Sequence, residues 1–323
     1  MARLLITGTS GFLGGSLGRH LRAQGHHVTG LSRTPPRPGT TDVFIPCDLT
    51  RAPLPTQTFD AIIHCAALAS PWAPTSHFEK QNVEATRRLL TLPTGHFLFI
   101  SSSSVHYTWG DQFHIRESDP LPAQPINEYA RTKRQAEQLV QQSKTPHTIL
   151  RPRAIFGPED TVLFPRILRA AKTGALPRLT REDNKPTLAD LIYIDNLTHY
   201  IRRALEQQAT GAFNLTNAEP VDTFQFLQQI FADLNYPSIK KKLPRRWAFR
   251  LAKLLESTSA LTLNHWEPPL TRFGVEVMIH SKTFDPTKTI QAFGPPPIKI
   301  EDARQRFVAW QREQDRNKDA AHL

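Results

Sequence analysis

The sequence predicts an α/β fold, a doubly wound parallel sheet followed by a smaller, mostly helical C-terminal domain. Through the first half of the 323 residues, short aliphatic runs alternate with helical patterns, which is typical of βαβ units. Nearly half of the 15 glycines lie in the first thirty residues, and the first of them directly follows the first such run. After residue 151 the alternation loosens, and prolines interrupt the chain at 152, 158, 165, 177 and 186. At about 150 residues per domain, the length fits two domains.

Each predicted strand is a short run of aliphatic and β-branched residues. The first is 3–7, an apolar run directly before a glycine turn. Five more are predicted before residue 151, at 27–31, 42–47, 61–65, 97–101 and 148–150. These six strands in this order are typical of a doubly wound nucleotide-binding sheet. Two later runs, 191–194 and 212–215, predict short strands on either side of a helix.

The predicted helices carry apolar residues at helical spacing. The first, 12–24, follows the glycine turn, and 77–92 lies between the fourth and fifth strands. The third, 127–143, begins at Asn127, a favourable N-cap, and carries an apolar stripe. Later helices are predicted at 195–207, 223–234, 245–256, 270–279 and 301–316. The polar segment 311–323 is expected to fray.

Composition excludes several classes of protein. No stretch approaches the roughly 18 apolar residues of a membrane span, and no signal peptide is evident, so we expect a cytoplasmic protein. Cys47 and Cys65 are too few for a disulfide framework and lack partners at metal-ligand spacing, so we expect two small buried side chains and no metal. The net charge of +11 attracts phosphates, nucleic acid or an anionic membrane. No nucleic-acid-binding motif accompanies it, so no such partner is expected.

The glycine turn predicts a dinucleotide site. Residues 7–14 read TGTSGFLG, which places three glycines between an apolar strand and a helix. Gly8 would permit the tight turn, Gly11 would let the backbone approach a pyrophosphate, and Gly14 would let the helix pack closely on the strand. The helix N-terminus would then direct unpaired N–H groups at the phosphates. We therefore expect a Rossmann-type cofactor site formed by Gly8, Ser10, Gly11, Phe12, Leu13 and Gly14.

The end of the second strand predicts which dinucleotide binds. An NAD-dependent enzyme usually has an acidic residue there, which holds the ribose 2′-hydroxyl. This chain has Ser32 and Arg33, with Arg37 behind them. Because a guanidinium suits a 2′-phosphate, NADP(H) is the preferred cofactor and NAD(H) the alternative, unless Arg33 is only a solvated loop residue. Asp48 and Leu49, after the third strand, are expected at the adenine, although Asp48 is also a common turn former.

Tyr129 and Lys133 predict acid–base chemistry. They are four apart on the third helix, so they share a face, and an ammonium there would lower the pKa of the phenol towards the operating pH. Tyr236 and Lys240 have the same spacing. Since Pro237 disfavours helical backbone at the preceding tyrosine, that second pair is not expected on one helical face.

A run of four serines, Ser101 to Ser104, follows the fifth strand at the carboxyl edge of the predicted sheet. Ligands bind at this edge in doubly wound folds, and a serine there can hydrogen-bond a substrate oxygen as charge develops on it. The alternative is a polar strand end with four interchangeable serines.

With these motifs, roughly residues 1–310 resemble the extended short-chain dehydrogenase/reductase superfamily, to which NAD(P)-dependent epimerases and dehydratases belong. The resemblance rests on TGTSGFLG, HCAA at 64–67, NVEAT at 82–86, SSSSV at 101–105, YARTK at 129–133 and LRPRAIFGP at 150–158. It implies that Ser102 is the catalytic serine, Tyr129 the general acid/base, and Lys133 the residue that lowers its pKa and binds the nicotinamide ribose. The cofactor-lining residues that it implies are Ala66, Ala67, Pro152 and Ile155. His106 departs from the common motif, which has tyrosine there.

Three segments resemble the β-hydroxysteroid dehydrogenase branch, which includes bacterial reductases of 2-alkyl-3-oxoalkanoic acids: ALASPW at 67–72, LIYIDN at 191–196 and EPPLTRF at 267–273. The resemblance disfavours dehydration, because dehydratases carry Asp and Glu where this chain has Ser103 and Ser104. Sugar epimerases commonly carry an Asn near the start of the substrate domain, which holds the nucleotide, whereas this chain has Arg153 and Ala154 there. We therefore expect interconversion of a ketone and a secondary alcohol on an apolar, 3-oxo acyl or steroid-like substrate. A nucleotide-sugar epimerase with tightly bound NAD and a non-catalytic NADPH-sensing protein are the alternatives.

The domain organisation follows from these motifs. We expect an NADP-binding domain at 1–151, to which 190–217 returns, a substrate-binding domain at 152–189 and 218–310, and a polar tail at 311–323. The resemblance implies a homodimer formed through the helices 77–92 and 127–143.

A basic segment, 240–253, holds seven Lys and Arg residues and no acidic residue. Trp247, Leu251, Leu254 and Leu255 lie within it at helical spacing. The simpler interpretation is a helix whose apolar face covers the substrate pocket. The alternative is a basic amphipathic helix in peripheral contact with an anionic membrane.

Overall fold

A computed structural model describes residues 1–174, 176–263 and 266–320. The strands in these ranges are β1 (Arg3–Thr7), β2 (His27–Ser32), β3 (Val43–Pro46), β4 (Phe59–His64), β5 (Thr94–Ile100), β6 (Gln112–Ile115), β7 (His147–Pro152), β8 (Ile155–Phe156), β9 (Arg178–Thr180), β10 (Leu188–Ala189), β11 (Ile192–Tyr193), β12 (Gly211–Leu215), β13 (Val221–Asp222), β14 (Lys242–Pro244) and β15 (Lys282–Phe284). The α-helices are α1 (Phe12–Ala23), α2 (Thr75–Phe78), α3 (Ala85–Leu89), α4 (Glu128–Gln142), α5 (Phe164–Lys172), α6 (Ile194–Glu206), α7 (Thr223–Asp233), α8 (Arg245–Ala260), α9 (Arg272–Ile279), α10 (Thr287–Phe293) and α11 (Ile300–Ala320). A π-helical segment, Glu79–Glu84, joins α2 to α3, and a 3₁₀ turn spans Ser103–His106.

Seven parallel strands form the main sheet, in the order β12-β7-β5-β4-β1-β2-β3. The chain runs outward from β1 through β2 to β3, then returns to the other side of β1 at β4. This reversal makes the carboxyl ends of β1 and β4 a topological switch point, where ligands bind in open α/β sheets. The predicted doubly wound α/β fold is confirmed.

Helices cover both faces of the sheet, so its central strands are apolar on both sides. Alternation along β1 shows the two layers, since successive side chains of a strand point to opposite faces. Leu4 packs in a cluster with Leu17 of α1 and Leu197 of α6. Leu5 packs in the opposite cluster with Val140 of α4. The two layers hold α1 and α4 against the sheet, and these two helices carry the residues predicted to bind phosphate and to transfer a proton.

The second half of the chain adds smaller layers at the carboxyl edge of the sheet. A four-stranded sheet has the order β13-β10-β15-β6, and two pairs, β11-β8 and β14-β9, complete the strand pairing. The helix α8 packs on α9 through Ala248, Ala252, Val275 and Ile279. Of the helices formed by the described residues, none is long and apolar enough to cross a membrane.

Two predicted elements differ from the structure in kind or extent, and the structure has a helix at a segment where none is predicted. The helix predicted at 77–92 is a succession of α2, the π-helical segment and α3. The strand predicted at 191–194 is shorter, because Ile194 already begins α6. The helix α5 is not predicted by the sequence, because the prolines in and around it indicate breaks in the chain. Pro165 instead occupies its first turn, where the missing N–H costs no hydrogen bond.

The sequence predicts that the polar segment 311–323 frays, but in the structure residues 311–320 continue α11. The helix is anchored by side chains of its last turns. Asp315 pairs with Lys172 of α5 at 2.9 Å, and Arg312 Nε donates to the carbonyl oxygen of Asp233 at 3.1 Å. Residues 321–323 lie outside the described ranges.

Candidate active site

The residues predicted to bind the cofactor lie along one edge of the main sheet. They follow, or lie at the ends of, parallel strands, whose carboxyl ends share that edge. The glycine turn follows β1, Arg33 follows β2, and Asp48 and Leu49 follow β3. The others are Ala66 and Ala67 after β4, Pro152 at the end of β7 and Ile155 in β8.

The glycine turn has the geometry that a bound pyrophosphate requires. Gly8 adopts a φ of +73°, and its N–H donates to the carbonyl oxygen of Leu31 at 2.7 Å. A Cβ at Gly8 would lie 3.0 Å from the Cα of Ala66, and one at Gly14 would lie 2.3 Å from the carbonyl oxygen of Gly8. Gly11 is the N-cap of α1, and no side chain caps the N–H groups behind it. This cradle fits a dinucleotide phosphate.

The turn after β4 is tied both to the glycine turn and to α4. The Ala66 N–H donates to Thr7 Oγ1 at 3.0 Å, and the Leu68 N–H donates to Asn82 Oδ1 at 2.8 Å. Asn82 Nδ2 also donates to Thr132 Oγ1 at 3.1 Å, next to Lys133. Sequence reasoning did not single out Asn82, although the NVEAT motif contains it. The π-helical segment that carries Asn82 fits the frequent occurrence of such segments at functional sites.

The residues expected around the adenosine differ in the contacts that they make with the rest of the protein. Arg33 is exposed, whereas Arg37 forms an ion pair with Glu159. Asp48 Oδ1 accepts hydrogen bonds from the Thr50 N–H at 3.0 Å and from its hydroxyl at 2.8 Å. These two bonds are the main reason why the pKa of Asp48 is lowered, with a smaller contribution from Arg33. The local turn therefore accounts for the contacts of Asp48, and its adenine contact stays a prediction.

The helix α4 presents Tyr129 and Lys133 one turn apart. The predicted N-cap is confirmed, since Asn127 Oδ1 accepts from the Ala130 N–H at 2.8 Å. Lys133 is 2% exposed, and its Nζ donates to the carbonyl oxygen of Ile100, at the end of β5, at 2.7 Å. The rival pair is not on a helix, because Tyr236 lies beyond the end of α7.

The pKa values correct one expectation. Burial raises the pKa of Tyr129 to about 12, and the hydrogen bond with Ser102 only partly opposes this. Burial also lowers the pKa of Lys133 to about 8, against the raising effect of Cys65 and Glu137. The expected lowering of the phenol pKa by the ammonium is wrong for this structure, because Nζ is directed to the Ile100 carbonyl and Ser102 is the group that acts on the phenol.

The four serines are not interchangeable. Ser102 is the side chain that acts on the Tyr129 phenol, and its Oγ lies 2.9 Å from Ser104 Oγ. Ser101 donates to a buried carboxylate at 2.5 Å, and Ser103 pairs with a buried tyrosine hydroxyl at 3.2 Å. Ser102 is thus the serine that the structure brings to the tyrosine of α4.

A buried ionic network, which sequence reasoning missed, lies behind this serine. Glu137 of α4 accepts from Arg151 Nη2 at 2.6 Å and from Nε at 2.9 Å, with both side chains under 5% exposed. Arg151 Nη1 also donates to His106 Nε2 at 2.8 Å. Burial and Arg151 lower the pKa of His106 to about 3, so its imidazole is neutral. His106, the departure from the common motif, therefore accepts from an arginine beside the active site.

The chain is similar to several known proteins. Residues 4–216 match the family model described as the NAD dependent epimerase/dehydratase family. The chain is 30% identical to 2-alkyl-3-oxoalkanoate reductase of Shewanella oneidensis, over 96% of this chain and 86% of the relative. It is 28% identical to the decarboxylating sterol-4-alpha-carboxylate 3-dehydrogenase of Homo sapiens, over 75% of this chain and 69% of the relative. A solved structure, MoeE5 in complex with UDP-glucose and NAD, shares the fold with a TM-score of 0.73 at 21% identity, covering 97% and 99% of the two chains.

The two curated relatives are named as a reductase and a dehydrogenase. They confirm the predicted resemblance to the hydroxysteroid dehydrogenase branch and the prediction of an oxidoreductase acting on a keto or CH–OH group. A sensor without catalysis is thereby disfavoured. Because the family model matches most of the chain, this protein belongs to the NAD dependent epimerase/dehydratase family.

Proposed function

We propose that this oxidoreductase uses NADPH to reduce the ketone of an apolar 2-alkyl-3-oxo acid to a secondary alcohol. The observation that carries the proposal is that the Ser102 side chain acts on the buried Tyr129 phenol, with Lys133 one turn away and the phosphate cradle on the neighbouring strands. The name of the Shewanella oneidensis relative supports the choice of substrate class.

Bound NADPH would supply the hydride, and the residues of this chain hold and protonate the substrate oxygen. Tyr129, with a pKa of about 12, keeps its proton at neutral pH, which is the state that reduction requires of a general acid. The Ser102 hydroxyl can donate to the same oxygen as negative charge develops on it. Lys133, one helical turn from Tyr129, carries a buried ammonium and is the residue that would hold the nicotinamide ribose.

Two observations support NADPH over NADH. The chain after β2 reads SRTPPRP, without the acidic residue that would hold a ribose 2′-hydroxyl. Arg33 is exposed there, whereas Glu159 engages Arg37 in an ion pair. We therefore assign the 2′-phosphate to Arg33.

Arg153 supports an acid as the substrate. Its guanidinium carbon lies 5.4 Å from the ring centroid of Tyr107, whose hydroxyl pairs with Ser103, the neighbour of Ser102. Its Nε is buried and has no hydrogen-bond partner in the part of the chain that the structure describes. A cation with an unused N–H beside the serine loop suits a substrate carboxylate. We expect Arg153→Met to raise KM for a 3-oxo acid much more than for its methyl ester.

One screen tests the reaction class. The purified protein is mixed with NADPH or NADH and with a 2-alkyl-3-oxo acid, a 3-oxosteroid or a nucleotide sugar, while the absorbance of the reduced cofactor is followed. The proposal expects oxidation of NADPH with the 2-alkyl-3-oxo acid. An epimerase would instead carry tightly bound NAD and convert the nucleotide sugar without consuming reduced cofactor, and this result would overturn the proposal.

The homodimer and the cytoplasmic location remain proposals. The groove between the π-helical segment and α4 is the expected dimer surface, and it is lined by Glu79, Lys80, Glu84, Arg87, Gln135 and Gln138. Light scattering of the purified protein would test this, since a monomer mass at all concentrations excludes the dimer.

A further inference from the structure

The helix α8 carries its large apolar side chains outward. Trp247, Leu251 and Leu254 are 52%, 45% and 62% exposed. Their spacing of four and three residues places them on one side of the helix. The opposite side is fully buried through the small residues Ala248 and Ala252, which pack on α9. These three side chains are therefore exposed and lie outside the packed core of the domain.

Further exposed apolar side chains follow the end of α8. Leu261 lies seven residues after Leu254, which again places it on the same side, and it is 86% exposed. Leu263 and Trp266 follow at 76% and 44% exposed. Exposed apolar side chains grouped in this way are typical of surfaces that contact another molecule or a membrane.

Basic side chains flank the apolar face. The basic segment 240–253 holds seven Lys and Arg residues, and none of them has an acidic partner within ion-pair distance among the described residues. One of them, Arg250, lies over the Trp247 ring with its guanidinium carbon 5.0 Å from the ring centroid. The charge of the segment is therefore uncompensated. They are Lys240, Lys241, Lys242, Arg245, Arg246, Arg250 and Lys253.

The helix α8 itself lies beside loops that leave the catalytic strands. Trp72 Nε1, in the loop that follows β4, donates to Ser259 Oγ of α8 at 2.9 Å. Trp109, after the 3₁₀ turn of the serine motif, meets the ring of Phe249 of α8 edge-on, with centroids 6.1 Å apart. These contacts place α8 next to two segments that lead directly from the active-site edge.

We propose that this face, Trp247, Leu251, Leu254, Leu261, Leu263 and Trp266 with the flanking cations, docks the enzyme on an anionic lipid surface. An amphipathic helix with large apolar side chains on one face and Lys and Arg beside them is held at a bilayer surface by apolar insertion and by attraction to anionic headgroups. A second copy of this chain fits less well, because two such cationic surfaces repel each other. Given the proposed reductase function, the docked enzyme takes its apolar substrate from the lipid next to the catalytic loops.

Co-sedimentation with vesicles tests the docking. Full-length protein is mixed with phosphatidylcholine vesicles or with vesicles that also contain phosphatidylglycerol. We expect about tenfold stronger binding to the anionic vesicles at low salt, with release at high salt. Absence of binding to anionic vesicles, or equal binding to both kinds, overturns the proposal.

Two variants and two controls locate the surface. Leu251→Asp with Leu254→Asp should reduce anionic-vesicle binding at least about tenfold, because charged groups replace inserted side chains. Val43→Asp, at an apolar side chain 42% exposed on the edge strand β3, is the matched control and should bind as the unmodified protein does. If the double variant also binds unchanged, or if it lowers the oligomer mass, the face does not dock on lipid.

The charges are tested separately. Arg250→Gln with Lys253→Gln should weaken anionic-vesicle binding and its salt dependence, whereas Lys144→Gln with Lys299→Gln, at exposed sites outside the segment, should not. Equal effects of the two pairs would contradict the proposal. Turnover of a short, water-soluble 3-oxo acid without vesicles is measured for every variant. It should stay unchanged, and it tests the reductase independently of the docking.

Discussion

Replacing Gly14 by alanine tests whether the close approach of α1 to the glycine turn builds the cofactor site. A Cβ at this position would lie 2.3 Å from the carbonyl oxygen and 2.7 Å from the carbonyl carbon of Gly8. Both are backbone atoms, so no side chain can turn away. An ordinary contact begins at 3.4 Å, so the N-terminus of α1 must move by about 1 Å, the difference from 2.3 Å. Such overpacking costs about 1–3 kcal/mol, offset by about 1 kcal/mol from the higher helix propensity of alanine.

We therefore expect Gly14→Ala to lower the free energy of unfolding by up to about 2 kcal/mol. Displacing the phosphate-binding N–H groups by about 1 Å should also lower kcat/KM for NADPH by about 100-fold. The adjacent Gly15→Ala is the matched control, because its Cβ would lie 3.2 Å from the carbonyl oxygen of Thr9 and needs a shift of only a few tenths of an ångström. Urea unfolding and NADPH titration by calorimetry measure both effects. If Gly14→Ala binds NADPH as tightly as Gly15→Ala, the assigned role of Gly14 is refuted.

Three further predictions concern charged groups. Glu137→Gln breaks the buried ion pair with Arg151 and should lower the free energy of unfolding by about 3–5 kcal/mol, as measured by urea titration. A loss below about 1 kcal/mol would contradict this prediction. Arg33→Ser should raise KM for NADPH about tenfold and leave KM for NADH unchanged. The control Arg51→Ser replaces a side chain that is 83% exposed and should change neither KM value. Equal effects of Arg33→Ser on the two cofactors would exclude 2′-phosphate recognition. Burial raises the pKa of Asp190 to about 6, so between about pH 4 and 6 the folded protein keeps a proton that the unfolded chain releases. Stability should fall by up to about 3 kcal/mol as the pH rises through this window, and Asp190→Asn should remove that loss when unfolding is measured at both ends.

The main sheet and the cofactor edge could be predicted because their signals are local in the chain. Gly11 and Gly14 of the TGTSGFLG turn lie against the backbone of Gly8, within the same eight residues, and the strand at Arg3–Thr7 has the predicted bounds. The Asn127 cap is similarly local, since its side chain bonds a backbone N–H three residues away. Elements of this kind depend little on the rest of the fold.

The remaining features depend on contacts between distant segments. The pKa of Tyr129 could not be predicted from its spacing to Lys133, because the direction of the ammonium is set by the Ile100 carbonyl, 33 residues away. The partner of His106 is Arg151 on another strand. The outward orientation of Leu251 in α8 likewise depends on which side of the helix meets α9. Helical spacing predicts an apolar stripe but not whether the stripe faces protein or solvent.

Transfer of deuterium tests the central claim most directly. The protein is incubated with NADPH deuterated at the transferring position of the nicotinamide and with a 2-alkyl-3-oxo acid, and the product is analysed by mass spectrometry and NMR. We expect deuterium on the carbinol carbon, and we expect Tyr129→Phe to slow its formation by about 100-fold or more, since a positioned general acid contributes at least that much. A product without deuterium at this carbon, or Tyr129→Phe with unchanged turnover, would contradict the assignment of Ser102, Tyr129 and Lys133 as the catalytic site of an NADPH-dependent ketone reductase.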